Sequence, residues 1–203
     1  MSPLLRLPPE LLVAILSDLD YFDLVRLTRV CRAVKETLET SSFDAALFRH
    51  TPSLPLSADH AVTLHPLLDE LGGMDGATAA QFTGSSGQTY DLSLYPVSFS
   101  FATSPSCSTL DIDLRTGAPL LVSALPGSGG ITLRQVLSAI RDFWYQRPPK
   151  HVADGVRQYY ALPKSFPVTM RDTLGSYARW TGWRRPIVGE GGVVYLGAED
   201  YEA

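Results

Sequence analysis

Apolar positions recur at helical spacing through the first forty residues of the chain. In LPPELLVAILSDL, Leu7 to Leu19, the residues Leu11, Leu12, Ile15, Leu16 and Leu19 fall three or four apart, which predicts a helix with one apolar side. Pro8 and Pro9 stand where a first helical turn does not need its N–H groups. Asp20 or Asp23 is placed to cap a second short helix carrying Leu24 and Leu27, and Arg29 to Glu39 repeats the pattern with Val30, Val34 and Leu38. Helices this short bury too small a fraction of their surface to offset chain entropy. Their apolar faces need covering by something else.

The pattern changes after Phe48. TPSLPLSADH, Thr51 to His60, is rich in proline and serine and reads as a linker, followed by a brief helix at His65 to Leu71 and a glycine-rich loop, Gly72 to Thr89. Alternation with a period of two then takes over. Asp91 to Phe101 alternates with a phase shift at Pro96, Leu110, Ile112 and Leu114 mark a second strand, and Pro119 to Leu125 a third. Leu133, Val136, Leu137, Ile140, Phe143 and Trp144 share one helical face, opened by a Thr132–Gln135 capping box. Further helices are expected near His151 to Ala161 and Met170 to Trp180, and PIVGEGGVVYLG, Pro186 to Gly197, reads as two short strands around Gly189 to Gly192. The order of elements predicts an α+β fold divided into helices at 1–50, a linker and loop at 51–90 and a mixed domain with a small, mainly antiparallel sheet at 91–203.

Composition narrows the function. The chain has 203 residues, 45% hydrophobic and 19% charged, with a formal net charge of -4, and no run of lysines or arginines of the kind that phosphate backbones demand. RWTGWRR, Arg179 to Arg185, alternates arginine with tryptophan, but arginine stems commonly cover indole faces at a core edge. Nucleic acid is not an expected partner. Cys31 and Cys107 are the two cysteines, too few for a disulfide framework or a cysteine-built zinc site. Pro8, Pro9 and Glu10 interrupt the first apolar run and no stretch approaches the ~20 residues of a membrane span. A cytoplasmic or nuclear protein without membrane contact is expected.

The motifs that resemble chemistry are outweighed by plainer readings. LPGSGGITL, Leu125 to Leu133, leads from a strand through glycines into a helix, yet no lysine follows and the dinucleotide spacing is absent, so a turn is the stronger reading. Tyr160 and Lys164 stand four apart with Pro163 between them, which opposes the helix that a tyrosine–lysine pair requires. His60 and His65, near Asp59 and Asp69, do not share a helical face for a metal. Ser128 lacks the strand–elbow–helix signature of a hydrolase nucleophile. No catalytic residue, metal or cofactor is expected.

Leu7 to Val34, LPPELLVAILSDLDYFDLVRLTRVCRAV, resembles the F-box, whose pattern begins Leu-Pro-x-Glu and ends Val-Cys-Arg. The matching residues are Leu7, Pro8 and Glu10, then Ile15, Leu16 and Leu19, then Asp23 and Leu24, and last Val30, Cys31 and Arg32. The resemblance extends over residues 4 to 50 with FDAALFRH as the closing aromatic segment, and departs from the family where Ala33 and Val34 stand in place of the usual tryptophan. It implies a three-helix unit that docks on a Skp-family adaptor and, through it, a cullin and RING ubiquitin ligase. By the family pattern, adaptor contact is expected at Leu7, Pro8, Leu11, Leu12, Ile15, Leu16, Leu19, Leu24, Leu27, Val30 and Cys31, with some of these packing the three helices together instead. The remainder looks like a fungal domain of uncharacterised function and has no repeat of the common substrate modules. The protein is thus expected to be a substrate receptor rather than an enzyme, with target contacts at Trp180, Trp183, Arg184 and Arg185, residue types that dominate interfaces. The competing expectations are an F-box protein acting outside a ligase, and a ligand-binding or enzymatic domain whose turnover the F-box controls.

Overall fold

A computed structural model of the chain describes residues 7–52, 55–71, 81–83, 88–175, 179–180, 182–199 and 201–202. Three helices come first: α1 (Pro9–Ser17), α2 (Tyr21–Leu27) and α3 (Arg32–Leu38). Pro9 opens α1 at a position whose N–H has no helical partner to lose. The Asp20 carboxylate caps α2 by accepting from Asp23 N at 2.8 Å. Leu12 and Leu16 of α1, Tyr21, Leu24 and Val25 of α2, and Val34 and Leu38 of α3 turn inward and are buried. Val34 seals α3 where the family pattern has tryptophan. A 3-10 turn at Ser41–Phe43 then brings Phe43, Leu47 and Phe48 under the helices.

In the segment expected to be a linker, Thr51 to His60, Leu56 is buried and the other described residues are exposed or half-buried; burial becomes dense after it. Leu56, Val62, Leu64, Leu67, Leu68 and Leu71 are buried. β1 (Thr63–Leu64) and α4 (Pro66–Asp69) carry three of them, and the expected helix at His65 to Leu71 is this α4. Much of the expected loop at Gly72 to Thr89 lies outside the described residues; of its remainder, β2 (Gln81–Thr83) pairs antiparallel with β3 (Thr89–Asp91).

The strand expected at Asp91 to Phe101 does not form. A 3-10 turn occupies Leu92–Leu94, and Pro96 O accepts from Phe99 N at 2.8 Å and Ser100 N at 2.9 Å, which closes a turn after the proline. Alternation there reflects sides of a turn rather than faces of a sheet. β4 (Thr103–Ser104) pairs antiparallel with β1.

The central sheet follows the alternation as expected. β5 (Thr109–Asp113) and β6 (Pro119–Ser123) form an antiparallel pair with Leu110 opposite Val122. Across β6, α5 (Leu133–Tyr145) packs its buried stripe of Leu133, Val136, Leu137, Ile140, Phe143 and Trp144. Its capping box is complete, with Gln135 N donating to Thr132 Oγ1 at 3.3 Å and Thr132 N to Gln135 Oε1 at 2.9 Å. Gln135 Nε2 also donates to Ser123 O, tying the helix start to β6. The glycines before it serve close approach: a Cβ on Gly130 would lie 2.5 Å from Ser106 Cβ, so this is a packed turn and not an open phosphate cradle.

α6 (Lys150–Tyr159) matches the helix expected from His151, whereas of the one expected from Met170 to Trp180 the described residues form a 3-10 turn at Arg171–Leu174, and 176–178 lie outside the described residues. Gly175, at a positive φ of 61°, turns the chain away there. β7 (Arg179–Trp180) follows, then the expected strand pair β8 (Ile187–Val188) and β9 (Val194–Gly197), and β10 (Tyr201–Glu202) returns to β7. The four-stranded sheet has the order β6-β5-β9-β8 and is antiparallel apart from the β5–β9 pair. One apolar core runs from Leu12 of α1 to Ala198 beyond β9.

Candidate docking surface on the amino-terminal helices

The three helices have an inner face that the rest of the described residues cover and an outer face that they do not. On the inner side, the Tyr21 ring meets the rings of His65 at 4.5 Å, Phe48 at 6.0 Å and Tyr95 at 6.5 Å, while Phe22 stacks on Tyr90 at 5.8 Å. Backbone bonds continue the seam, with Phe101 N donating to Phe48 O at 2.7 Å and Ser106 N to His50 O at 3.0 Å. Arg49 fastens the closing segment beneath α3 by donating to Leu38 O at 2.7 Å and pairing with Asp44 at 3.1 Å.

Burial governs the electrostatics of this seam. The Leu67 N–H donates to His65 Nδ1, so the neutral imidazole carries its proton on Nε2, which is buried with no hydrogen-bond partner. Loss of water around the ring pushes the His65 pKa down to about 3 and the Tyr21 phenol well above its ordinary value. Both groups are neutral at any physiological pH. His60 instead closes a turn on Ser57, and no cluster of metal-ligating side chains occurs among the described residues. Cys107 is buried, and desolvation raises its thiol pKa, which opposes thiolate chemistry.

On the outer side of α1, Pro8, Leu11 and Ile15 follow one another at spacings of three and four and lie exposed, Leu11 at 52% and Ile15 at 45%. They form one stripe along the helix. Val30, at 67%, is exposed just before α3. Leu12, Leu16 and Leu24, expected as adaptor contacts, are core residues: they lie on the inner faces and are sealed by the chain's own side chains. Leu7 is half-buried, and Leu19, Leu27 and Cys31 are half-buried against the core. The family pattern names all eleven positions, and the fold separates them into two faces.

The expected target contacts are also divided. Trp183 is buried, with its indole N–H donating to Leu68 O at 2.8 Å, and so serves to hold the carboxy-terminal strands against α4. The side chain of Trp180 lies outside what the structure describes. Arg184 and Arg185 are exposed and line a cavity of about 480 Å³ with Asp111, Asp113, Ile187 and Tyr195. In register across the outer face of the sheet stand Leu121, Asp111, Tyr195 and Ile187, three of them largely apolar and exposed. Sequence reasoning missed this row; the outward phase of β6, β8 and β9 was its signal, but strands of two to five residues are too short to show which phase faces out.

No curated protein and no solved structure matched the chain in searches of each. The amino-terminal helices did match a family: residues 4–47 fit the family model described as F-box-like, so that this segment of the chain is an F-box-like domain at the amino terminus of a larger α+β fold.

Proposed function

We propose that the protein is the substrate-receptor subunit of a Skp/cullin/RING ubiquitin ligase, with the F-box-like helices binding a Skp-family adaptor and the α+β body presenting a target protein. The observation that carries this reading is the exposed stripe of Pro8, Leu11 and Ile15, with Val30 beyond it, standing on helices whose opposite faces are already packed. Aliphatic side chains left in water on a rigid platform are stabilised when a partner covers them, at roughly 1.5–3 kcal/mol each for full burial. A few such anchors suffice for an interface. On this reading the protein supplies no chemistry of its own, and it acts in the cytoplasm or nucleus; no helix among the described residues is long and apolar enough to cross a membrane. Arg184 and Arg185, beside Tyr195 and Ile187, are the proposed target contacts.

Coexpression with a Skp-family adaptor followed by size-exclusion chromatography tests the docking step. A 1:1 complex is expected, and Leu11→Glu with Ile15→Glu weakens it by about two orders of magnitude or more. Thermal unfolding of the double variant stays near that of the parent, because neither side chain is in the core. Coelution of the double variant with undiminished affinity refutes the assigned surface. Recovery of the cullin in the same complex supports the ligase role, and adaptor alone supports the alternative of an F-box protein acting outside a ligase.

A further inference from the structure

Residues 147–168 build a cleft that the docking stripe does not touch. α6 begins directly after Pro148 and Pro149, and Ala161, at a positive φ of 52°, reverses the chain beyond its end. Lys164 to Val168 thereby return alongside the helix, held by Arg157 Nε donating to Phe166 O at 3.0 Å. A cavity of about 430 Å³ opens at this reversal, a size ordinary for small-ligand sites. Arg147, Lys150, Arg157 and Lys164 line it, and no carboxylate does, in a chain whose formal net charge is -4. Asp154, outside the lining, balances Arg157 at 2.9 Å. Arg147, Lys150 and Lys164 form no ion pair among the described residues.

Cations gathered round one concavity repel each other, and their field is focused into the hollow they enclose. Phe166, exposed at 39%, and buried Val168 give the same cleft an apolar side. We propose that this cleft binds a phosphate monoester, whose compact double charge matches the unbalanced cations and whose attached group rests on Phe166. A single carboxylate leaves most of that positive charge unmatched. A nucleic-acid strand asks for an extended track of cations and stacking rings, and this cluster is confined to one pocket. A free phosphorylated small molecule and a phosphorylated side chain on a protein share the chemistry.

Calorimetric titration of the full-length chain, alone or in its adaptor complex, with inorganic phosphate, phosphoserine and serine tests the site. Saturable binding of phosphate and phosphoserine is expected, with none of serine, and Lys150→Gln with Lys164→Gln weakens it about tenfold or more. Arg184→Gln with Arg185→Gln leaves it unchanged. If circular dichroism shows the lysine variant unfolded, Arg147→Gln, at an exposed position, is read in its place. A phosphoserine peptide that binds more tightly than phosphoserine assigns the phosphate to a protein, and equal binding assigns it to a small molecule; both support the site. No saturable binding of any phosphate probe, or binding indifferent to the lysine and arginine substitutions in the cleft, overturns it. Adaptor complex formation is read separately by chromatography, so failure of one assignment leaves the other standing.

Discussion

Leu11 and Leu12 are adjacent in sequence and opposite in fate, because one helical step of about 100° carries the side chain from water to core. The same holds for Ile15 and Leu16. Leu16→Ala removes a side chain that is 1% exposed and leaves a cavity, with an expected loss of about 2–5 kcal/mol in chemical denaturation. Adaptor affinity of the folded variant changes far less than in Leu11→Glu with Ile15→Glu, and the two measurements together separate the faces. His65 gives a pH dependence. Its folded pKa, about 3, lies below the ordinary value of 6.5, so the unfolded chain binds more protons between the two. Its contribution to stability is complete above pH 6.5 and is lost progressively as pH falls from there through about 3, at up to about 1.4 kcal/mol per pH unit. Thermal melts between pH 7.5 and 5 in His65→Asn, which keeps an acceptor for the Leu67 N–H but does not titrate, are expected to show a flatter slope than the parent.

Among the elements, α5 is the one whose sequence signals agree at every level: cap, apolar stripe and length all point to the same helix, and the structure has it from Leu133 to Tyr145. Thr132→Ala removes one half of the capping box and is expected to cost about 1 kcal/mol in denaturant unfolding. Elements without a cap or a long period were read less well. The 91–101 segment alternates like a strand, but Pro96 removes a ladder donor and its carbonyl closes a turn instead. The helix expected after Met170 stops at Gly175, where a positive φ suits glycine and ends the regular repeat.

At the scale of the molecule, the helices and the body share one core, with Tyr21 seated among Phe48, His65 and Tyr95. Cooperative unfolding in a single transition is the expected result, seen as coincident far-ultraviolet circular dichroism and tryptophan fluorescence curves. All three tryptophans lie in the body, at positions 144, 180 and 183, whereas the amino-terminal helices contribute only to the dichroism. A fragment starting at Ser57 loses the helices that cover His65 and Tyr95, and it is expected to melt at lower temperature and bind a hydrophobic dye. Two separate transitions in the full chain would show that the seam is weaker than its packing implies.

The letters alone determined the three amino-terminal helices, the F-box pattern, the capped helix α5 and the inward residues of the central strands. Each of these depends on spacing within a few residues, and spacing is written directly in a sequence. Only the tertiary structure decided which leucines belong to the chain's own core and which stay exposed, that Trp183 faces inward to Leu68, and that Leu56 anchors the proline- and serine-rich segment to the core. Burial is a property of what arrives from elsewhere in the chain: His65 becomes a buried, neutral cap because Tyr21 and Phe48 close over it, and no local pattern records their approach.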